Sequence, residues 1–368
     1  MKKKFVAIIF MSILAVLALV GCNSEAANTD NANANDETSS NQENASNEET
    51  SKSDEPLTVV WYPNESGNEL KAARDALGSL ISEATGREVE HKLTTDYAIA
   101  IETIANGNAH VAFMGAQGYI EANEKSSDVQ PLVVPSGASG TLDDAVYYSW
   151  LAVPKDKAEE YKTNGEFDIN KIAGKRFSFV SASSTSGFKV PSEAIISHFG
   201  EQEEYKDLTA EDLAESNDLF PEVLFGDSHQ GSAVNMLMER SDVSAFCDTC
   251  VSNYVELVEG EANTPGAVYK VKDDAAAPFN NLTGKEFTLI SVTPVLNAPF
   301  VVNESVLSPE EITALEEAFT SDETTNNEEI FVPEGSETPG LFEKSEGGNE
   351  RFVTAEDDWF DPIRELSK

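Results

Sequence analysis

Basic side chains are scarce in this chain. Lys and Arg together number 25 against 66 Asp and Glu, a formal net charge of −41. Binding a phosphate backbone needs clustered cations, so nucleic acid is excluded as a partner. The acidic surface suits solubility in an exported setting. Any anion bound here must be held against the global field, by local backbone N–H groups and hydroxyls. Cysteine is almost absent, with three in all: Cys22, Cys247 and Cys250. Histidines are few, and His198 and His229 do not cluster in sequence with the CxxC pair, so a four-ligand zinc site is not indicated. No G-x-S-x-G elbow surrounds the serine-rich stretch near Ser184 to Ser186, which removes the usual mark of a serine hydrolase. The thioredoxin size and strand pattern are missing as well. No enzyme activity, cofactor or metal is expected.

What is present begins with the N-terminus, MKKKFVAIIFMSILAVLALVGC. Lys2, Lys3 and Lys4 form a positive n-region, Phe5 to Val20 an apolar h-region, and Gly21 a small residue before Cys22. This is an export signal, and its apolar run is short for a stable membrane span of ~20 residues. Leu19-Val20-Gly21-Cys22 resembles a bacterial lipobox. That resemblance implies a signal over residues 1–22, lipidation at Cys22, and anchoring at the extracytoplasmic face of the cell membrane. Asn23 to Glu55 holds no aromatic residue and no Val, Leu or Ile. Such a segment cannot bury enough apolar surface to offset its ordering entropy, so residues 23–55 are expected to be a disordered acidic tether.

The rest of the chain patterns as alternating strands and helices. Leu57 to Pro63 is β-rich, Leu70 to Ala84 has helical spacing, Val89 to Leu93 suggests a strand, Tyr97 to Asn106 a helix, and Asn108 to Met114 a third strand. That order implies βαβ units and a parallel sheet. A second run follows: strands at Tyr147 to Val153 and Phe177 to Val180, a helix to about Phe199, strands at Pro221 to Phe225 and Val243 to Phe246, and a helix at Ser232 to Glu239. Phe287 to Val292 and Ala298 to Val302 look extended, and Glu310 to Phe319 helical. Two α/β halves are expected, each a mainly parallel sheet flanked by helices, with a ligand cleft between them. The boundaries expected are 56–149 plus about 294–368 for lobe 1 and about 150–293 for lobe 2.

One stretch asks for an explanation. Between the strand FSFV and the next helix, Ser181 to Ser186 carries hydroxyls at five of six positions, followed by Gly187. Ligands of open α/β sheets bind beyond the carboxyl ends of the strands. Helix N-termini there offer unpaired N–H groups and a partial positive charge. Added hydroxyls make a neutral cradle for an oxyanion. An N-cap with a polar loop needs only one of them.

Ser184-Thr185-Ser186-Gly187-Phe188 with Val190-Pro191 resembles the STSGxxVP signature of the phosphate/phosphite/phosphonate-binding proteins of ABC importers, the PhnD-like family. Tyr62-Pro63-Asn64-Glu65, Thr95-Asp96-Tyr97, Phe113-Met114-Gly115 through Tyr119, Tyr147-Tyr148-Ser149 and Gly226-Asp227-Ser228-His229 resemble further motifs of that family, in its order. The resemblance implies a two-lobed type II periplasmic-binding-protein fold with two crossovers. It also implies a solute receptor serving a membrane permease, expected to be monomeric. Ser184, Thr185, Ser186, Tyr97, Tyr147 and His229 would then surround the oxyanion. All are hydrogen-bond donors, and a His imidazolium could add charge.

Two departures stand out. Many members carry an acidic residue before the proline of a late crossover strand; here the sequence is Asn297-Ala298-Pro299, with Asp248 as a candidate substitute. The second is Cys247-Asp248-Thr249-Cys250, at a strand end expected to lead into a helix. The exported setting permits a disulfide there. Two inert thiols, or a pair contacting a ligand or metal, are the alternatives. Neighbouring readings are a sensor lipoprotein docking on a receptor kinase, a receptor for an arsenic or selenium oxyanion using Cys247 and Cys250, and an exported thiol oxidoreductase.

Overall fold

The computed structural model describes residues 55–336 and 338–366. The export signal, the lipobox with Cys22 and nearly all of the tether lie outside the described residues. Among the described residues, no helix is long and apolar enough to cross a membrane.

The chain starts with β1 (Leu57–Trp61), whose side chains are buried on both faces of a sheet. Leu57, Val59 and Trp61 join one apolar cluster and Val60 the other, as the period of two requires. Then come α1 (Lys71–Thr85), β2 (Val89–Leu93), α2 (Tyr97–Ala105), β3 (Val111–Phe113), α3 (Ala116–Lys125) and β4 (Val129–Pro135). Helix α1 buries Ala73, Leu77 and Ile81 and stops at Gly86, whose φ of 72° is the left-handed cap that glycine adopts without penalty.

After β4 the chain crosses to a second sheet with β5 (Val146–Pro154), passing a small hairpin of β6 (Lys162–Thr163) and β7 (Glu166–Phe167). It continues through β8 (Phe177–Phe179), α4 (Val190–Phe199), the short α5 (Ala210–Leu213), β9 (Val223–Phe225), α6 (His229–Leu237), β10 (Val243–Cys247), β11 (Val255–Glu259), β12 (Val268–Val271) and β13 (Glu286–Leu296). It crosses back with β14 (Phe300–Asn303), then α7 (Pro309–Phe319), α8 (Asp322–Thr325), the pair β15 (Phe331–Pro333) and β16 (Phe342–Lys344), and β17 (Phe352–Thr354).

The first sheet has the order β17-β4-β14-β3-β1-β2 and the second β11-β12-β13-β5-β10-β8-β9. Together they make the two-lobed α/β architecture. Each sheet is mixed rather than mainly parallel. β1 pairs parallel with β2 and β3, and β8 with β9 and β10, but β14 runs antiparallel to β3 and β4, and β5 to β10 and β13. The parallel part is the βαβ portion that periodicity shows. Part of the antiparallel pairing comes from the two crossing strands β5 and β14, and the rest from the successive strands β11, β12 and β13 and from the C-terminal β17. Several elements have no counterpart in the sequence reading: α3, β4, the β6–β7 hairpin, α5, β11, β12, α8, β15, β16 and β17. Segment 248–254, expected to be helical, is a run of turns instead.

Candidate functional site

Three local devices of one kind aim side chains at a single cavity of about 270 Å³. Asp96 caps α2, its carboxylate accepting from the N–H groups of Ala98 and Ile99, so Tyr97 is the first residue of that helix. Ser228 caps α6 by accepting from Gly231 N–H at 2.9 Å, so His229 opens that helix. The expected start at Ser232 is three residues late. Ser184 accepts from Gly187 N–H at 3.1 Å and opens a wide turn, Thr185–Lys189, closed by Lys189 N–H on the Ser184 carbonyl at 2.9 Å. Each cap leaves the next residue, Tyr97, His229 or Thr185, on the cavity wall.

Tyr97, Tyr147, Ser184, Thr185 and His229 all line this cavity. Every one is buried, with Ser184 at 1% exposure and His229 at 4%. Ser186 is buried beside them but does not line the cavity; its carbonyl accepts from Ser149 Oγ at 2.6 Å, and its own hydroxyl lies near Tyr147 without a well-formed bond. Among the described residues, no Lys or Arg lines the cavity.

His229 differs from the expectation of an imidazolium. Burial pushes its pKa down to about 3, so it is neutral at any ordinary pH. Cys247 N–H donates to Nδ1 at 3.0 Å, and Nε2 lies 3.3 Å from Ser184 Oγ. The ring therefore carries its proton on Nε2 and offers it toward the Ser184 turn.

Asp248 is also corrected. It does not line the cavity, because its carboxylate is taken up by the Tyr148 N–H at 2.9 Å and lies 3.5 Å from the Asn263 amide. It fixes the β5–β10 end rather than the cleft. Asn297 does reach the cleft, but as a tie: its amide donates to the Pro135 carbonyl at 2.7 Å, and its N–H to the Ala145 carbonyl at 3.0 Å.

Cys247 and Cys250 are joined in a disulfide with Cα atoms 5.4 Å apart. Cys250 lines the cavity, and its carbonyl accepts from Gln230 Nε2 at 2.9 Å. The donor atoms of His229, Cys247 and Cys250 lie within 4.8 Å of one another. The disulfide consumes both thiolates, so this trio is no ligand set for a metal and offers no free thiol to an arsenic or selenium oxyanion.

Sequence reasoning passed over Asn64, which turns out to tie the lobes together. Its Nδ2 donates to Tyr97 Oη at 2.7 Å, its Oδ1 accepts from His229 N–H at 3.1 Å, and its carbonyl accepts from Gln230 Nε2 at 3.1 Å. Glu65 beside it lines the cavity too. Both sit inside the quoted Tyr62-Pro63-Asn64-Glu65 motif, which was the available signal. Further ties cross the cleft. The first-turn N–H of Gln117 in α3 donates to Thr185 Oγ1 at 2.9 Å, Ser183 Oγ donates to Glu121 at 2.7 Å, and Tyr254 Oη donates to Glu69. The lobes are closed on each other.

The cleft between the two crossed-over α/β lobes thus gathers hydroxyl and imidazole donors on one cavity. The family described as ABC transporter, phosphonate, periplasmic substrate-binding protein matches residues 59–360. The chain belongs to this family. Its members are transport receptors rather than enzymes, which sets aside the thiol oxidoreductase reading. The phosphate-import protein PhnD of Mycolicibacterium smegmatis is 28% identical over 197 residues, 54% of this chain and 56% of that protein. The chain thus spans about half the length of that curated relative. The fold is similar to that of the binding-protein component of an ABC phosphonate transporter from Pseudomonas aeruginosa, with a TM-score of 0.58 at 18% identity, over 85% of this chain and 86% of that one. It is similar also to PhnD1 from Prochlorococcus marinus, solved in complex with methylphosphonate, with a TM-score of 0.57 at 15% identity, over 85% and 97% of the two chains.

Proposed function

We propose that this protein is the extracytoplasmic receptor of an ABC importer that captures a phosphate-, phosphite- or phosphonate-type oxyanion and hands it to a membrane permease. On this reading it is a lipoprotein held at the cell membrane through lipidated Cys22, acting as a monomer on a flexible acidic tether. The observation that carries the reading is the convergence of the Ser184 turn and two capped helix starts on one cavity that, among the described residues, no Lys or Arg lines. Such a site stabilises an oxyanion by fixed N–H and O–H dipoles rather than by net charge. Ser184, Thr185, Tyr97, Tyr147 and His229 Nε2–H are the ligand donors on this reading, and Ser186 supplies its N–H or hydroxyl from behind Thr185. Asn64 and Thr185 couple ligand capture to closure of the lobes.

The test is a thermal-shift screen of the full-length protein in detergent against phosphate, phosphite, methylphosphonate, arsenate and selenite, followed by calorimetry on the hits. Stabilisation by at least one phosphorus oxyanion, with saturable binding, is expected. A screen in which no phosphorus oxyanion shifts the transition would overturn the reading.

A further inference from the structure

Glu65 stands apart from the other carboxyls of the cleft. Glu343 is exposed, and Glu350, though buried and with its own Oε2 unpartnered, is anchored through Oε1 by the Ser345 N–H and hydroxyl. Glu65 lines the cavity, is 9% exposed, and its Oε2 has no hydrogen-bond partner. The cation nearest to it is not spent on it: Arg74 donates to the backbone carbonyls of Glu65 and Gly67. The other groups around the carboxyl are its own backbone N–H and the Asn64 side chain, which favour the ionised form, and the phenols of Tyr62 at the end of β1, Tyr97 on α2, Tyr147 on β5 and Tyr254 after the disulfide, with neutral His229 on the cavity wall. An ionised carboxylate here would have only the through-space charge of Arg74 to set against its burial, and would repel an arriving anion. A protonated one supplies an O–H donor.

We infer that Glu65 contacts the bound oxyanion through Oε2 as a carboxylic acid, sharing one proton with a ligand oxygen, which makes it a recognition residue for oxyanions. This rests on the oxyanion-receptor reading above. The proton balance is simple. Where Glu65 is already protonated, binding forms an O–H···O⁻ bond with no proton exchanged. Where it is ionised, binding draws one proton from solvent, because the ligand's charge favours the neutral acid. Burial pushes the pKa of Glu65 up to about 8, so the first regime holds near neutrality and the second in mild alkali. Arg74 is the one charge in this shell that opposes the shift.

The experiment is calorimetry on the full-length protein in detergent with methylphosphonate, and with inorganic phosphate as the second probe. Titrations are run at about pH 6.5 and about pH 9, each in two buffers of different ionisation heat, which reads out protons taken up on binding. The unmutated protein should take up a proton in alkali beyond the free ligand's own titration, and Glu65→Gln should not. At the lower pH, Glu65→Gln keeps a donor and should stay within roughly tenfold of the parent, while Glu65→Ala should lose roughly tenfold or more. Equal proton uptake by parent and Glu65→Gln, or parent-like affinity of Glu65→Ala, overturns the inference. If Glu65→Gln does not fold, the parent alone decides: no excess proton uptake in alkali overturns the inference, and excess uptake that vanishes in Glu65→Ala supports it. Failure of the unmutated protein to bind either probe at either pH overturns the receptor reading itself, and is told apart by needing no variant.

Discussion

The backbone N–H of Cys247 donates to Nδ1 of His229 at 3.0 Å, and this bond decides what the imidazole can offer the cleft. With Nδ1 used as an acceptor, the ring proton stays on Nε2, 3.3 Å from Ser184 Oγ. The strand end carrying the disulfide therefore sets the tautomer of a residue on a different element.

Acid should weaken the fold through His229. Its folded pKa lies at about 3, below the ordinary 6.5, so the unfolded chain binds the extra proton first as pH falls. Its contribution is present above pH 6.5 and is lost at about 1.4 kcal/mol per unit until about pH 3. Denaturation curves of the parent and His229→Asn across this window should differ in slope. Parallel slopes would show that the ring is not held neutral.

Glu65 should act with the opposite sign. Its folded pKa of about 8 lies above the ordinary 4.5, so the folded, ligand-free protein holds the proton more tightly and loses stability as pH rises through that interval. Glu65→Gln should remove this slope and be the more stable form at about pH 9, by up to about 5 kcal/mol. A Glu65→Gln variant less stable than the parent in mild alkali would contradict it.

Removing the oxyanion donors should cost affinity more than stability. Thr185→Ala and Ser184→Ala should each weaken binding of the best oxyanion by roughly 1.5–3 kcal/mol, the usual worth of a hydrogen bond to a charged group. Tyr97→Phe and Tyr147→Phe keep the ring and test the phenols alone. Calorimetry beside a melting curve separates the two effects. Unchanged affinity in all four would remove these residues from the site.

Glycine at 115 should be needed for closure. A Cβ there would lie 2.7 Å from Thr185 Oγ1, the atom that takes the Gln117 N–H across the cleft. Gly115→Ala should lower affinity about tenfold or more while moving the melting point little, since the clash exists only between closed lobes. Restored affinity in Gly115→Ala combined with Thr185→Ser would leave the clash unexplained, because the hydroxyl remains.

The disulfide should contribute modestly. A four-residue loop gives about 2 kcal/mol in the chain-entropy view. The paired Cys247→Ser and Cys250→Ser variant should lose about that much. Thiol titration of the unfolded, unreduced parent should find neither Cys247 nor Cys250 reactive.

Much of the site was legible because its motifs are local. A capping residue followed by a donor, as in Asp96-Tyr97 and Ser228-His229, is written in adjacent positions. Relations across the cleft were not. Nothing in the sequence says that Asn64 meets His229, or that Asp248 is claimed by Tyr148 of a strand 100 residues earlier. The helix α3 was missed because most of its buried residues are small: beside Tyr119 and Ile120, Ala116, Gly118 and Ala122 allow close packing but give little periodic signal. The same smallness lets Tyr62 stand over Gly118, where a Cβ would come within 1.8 Å of its hydroxyl.

Asn297 has a mechanical consequence. It lies on one of the two segments that pass between the sheets and bonds to both ends of the other, at Pro135 and Ala145. Two separate strands joining two rigid bodies could bend independently, allowing both opening and twisting. Cross-linked by the side-chain amide at one end and the backbone N–H at the other, they act as a single leaf spring that favours rotation about one axis. Replacing Asn297 with Ala would remove the bond to Pro135 while keeping the backbone bond to Ala145, and so free one end of the spring to twist. It would show as a broader distribution of interlobe distances in spin-label measurements, and as a faster ligand off-rate with little change in the closed geometry.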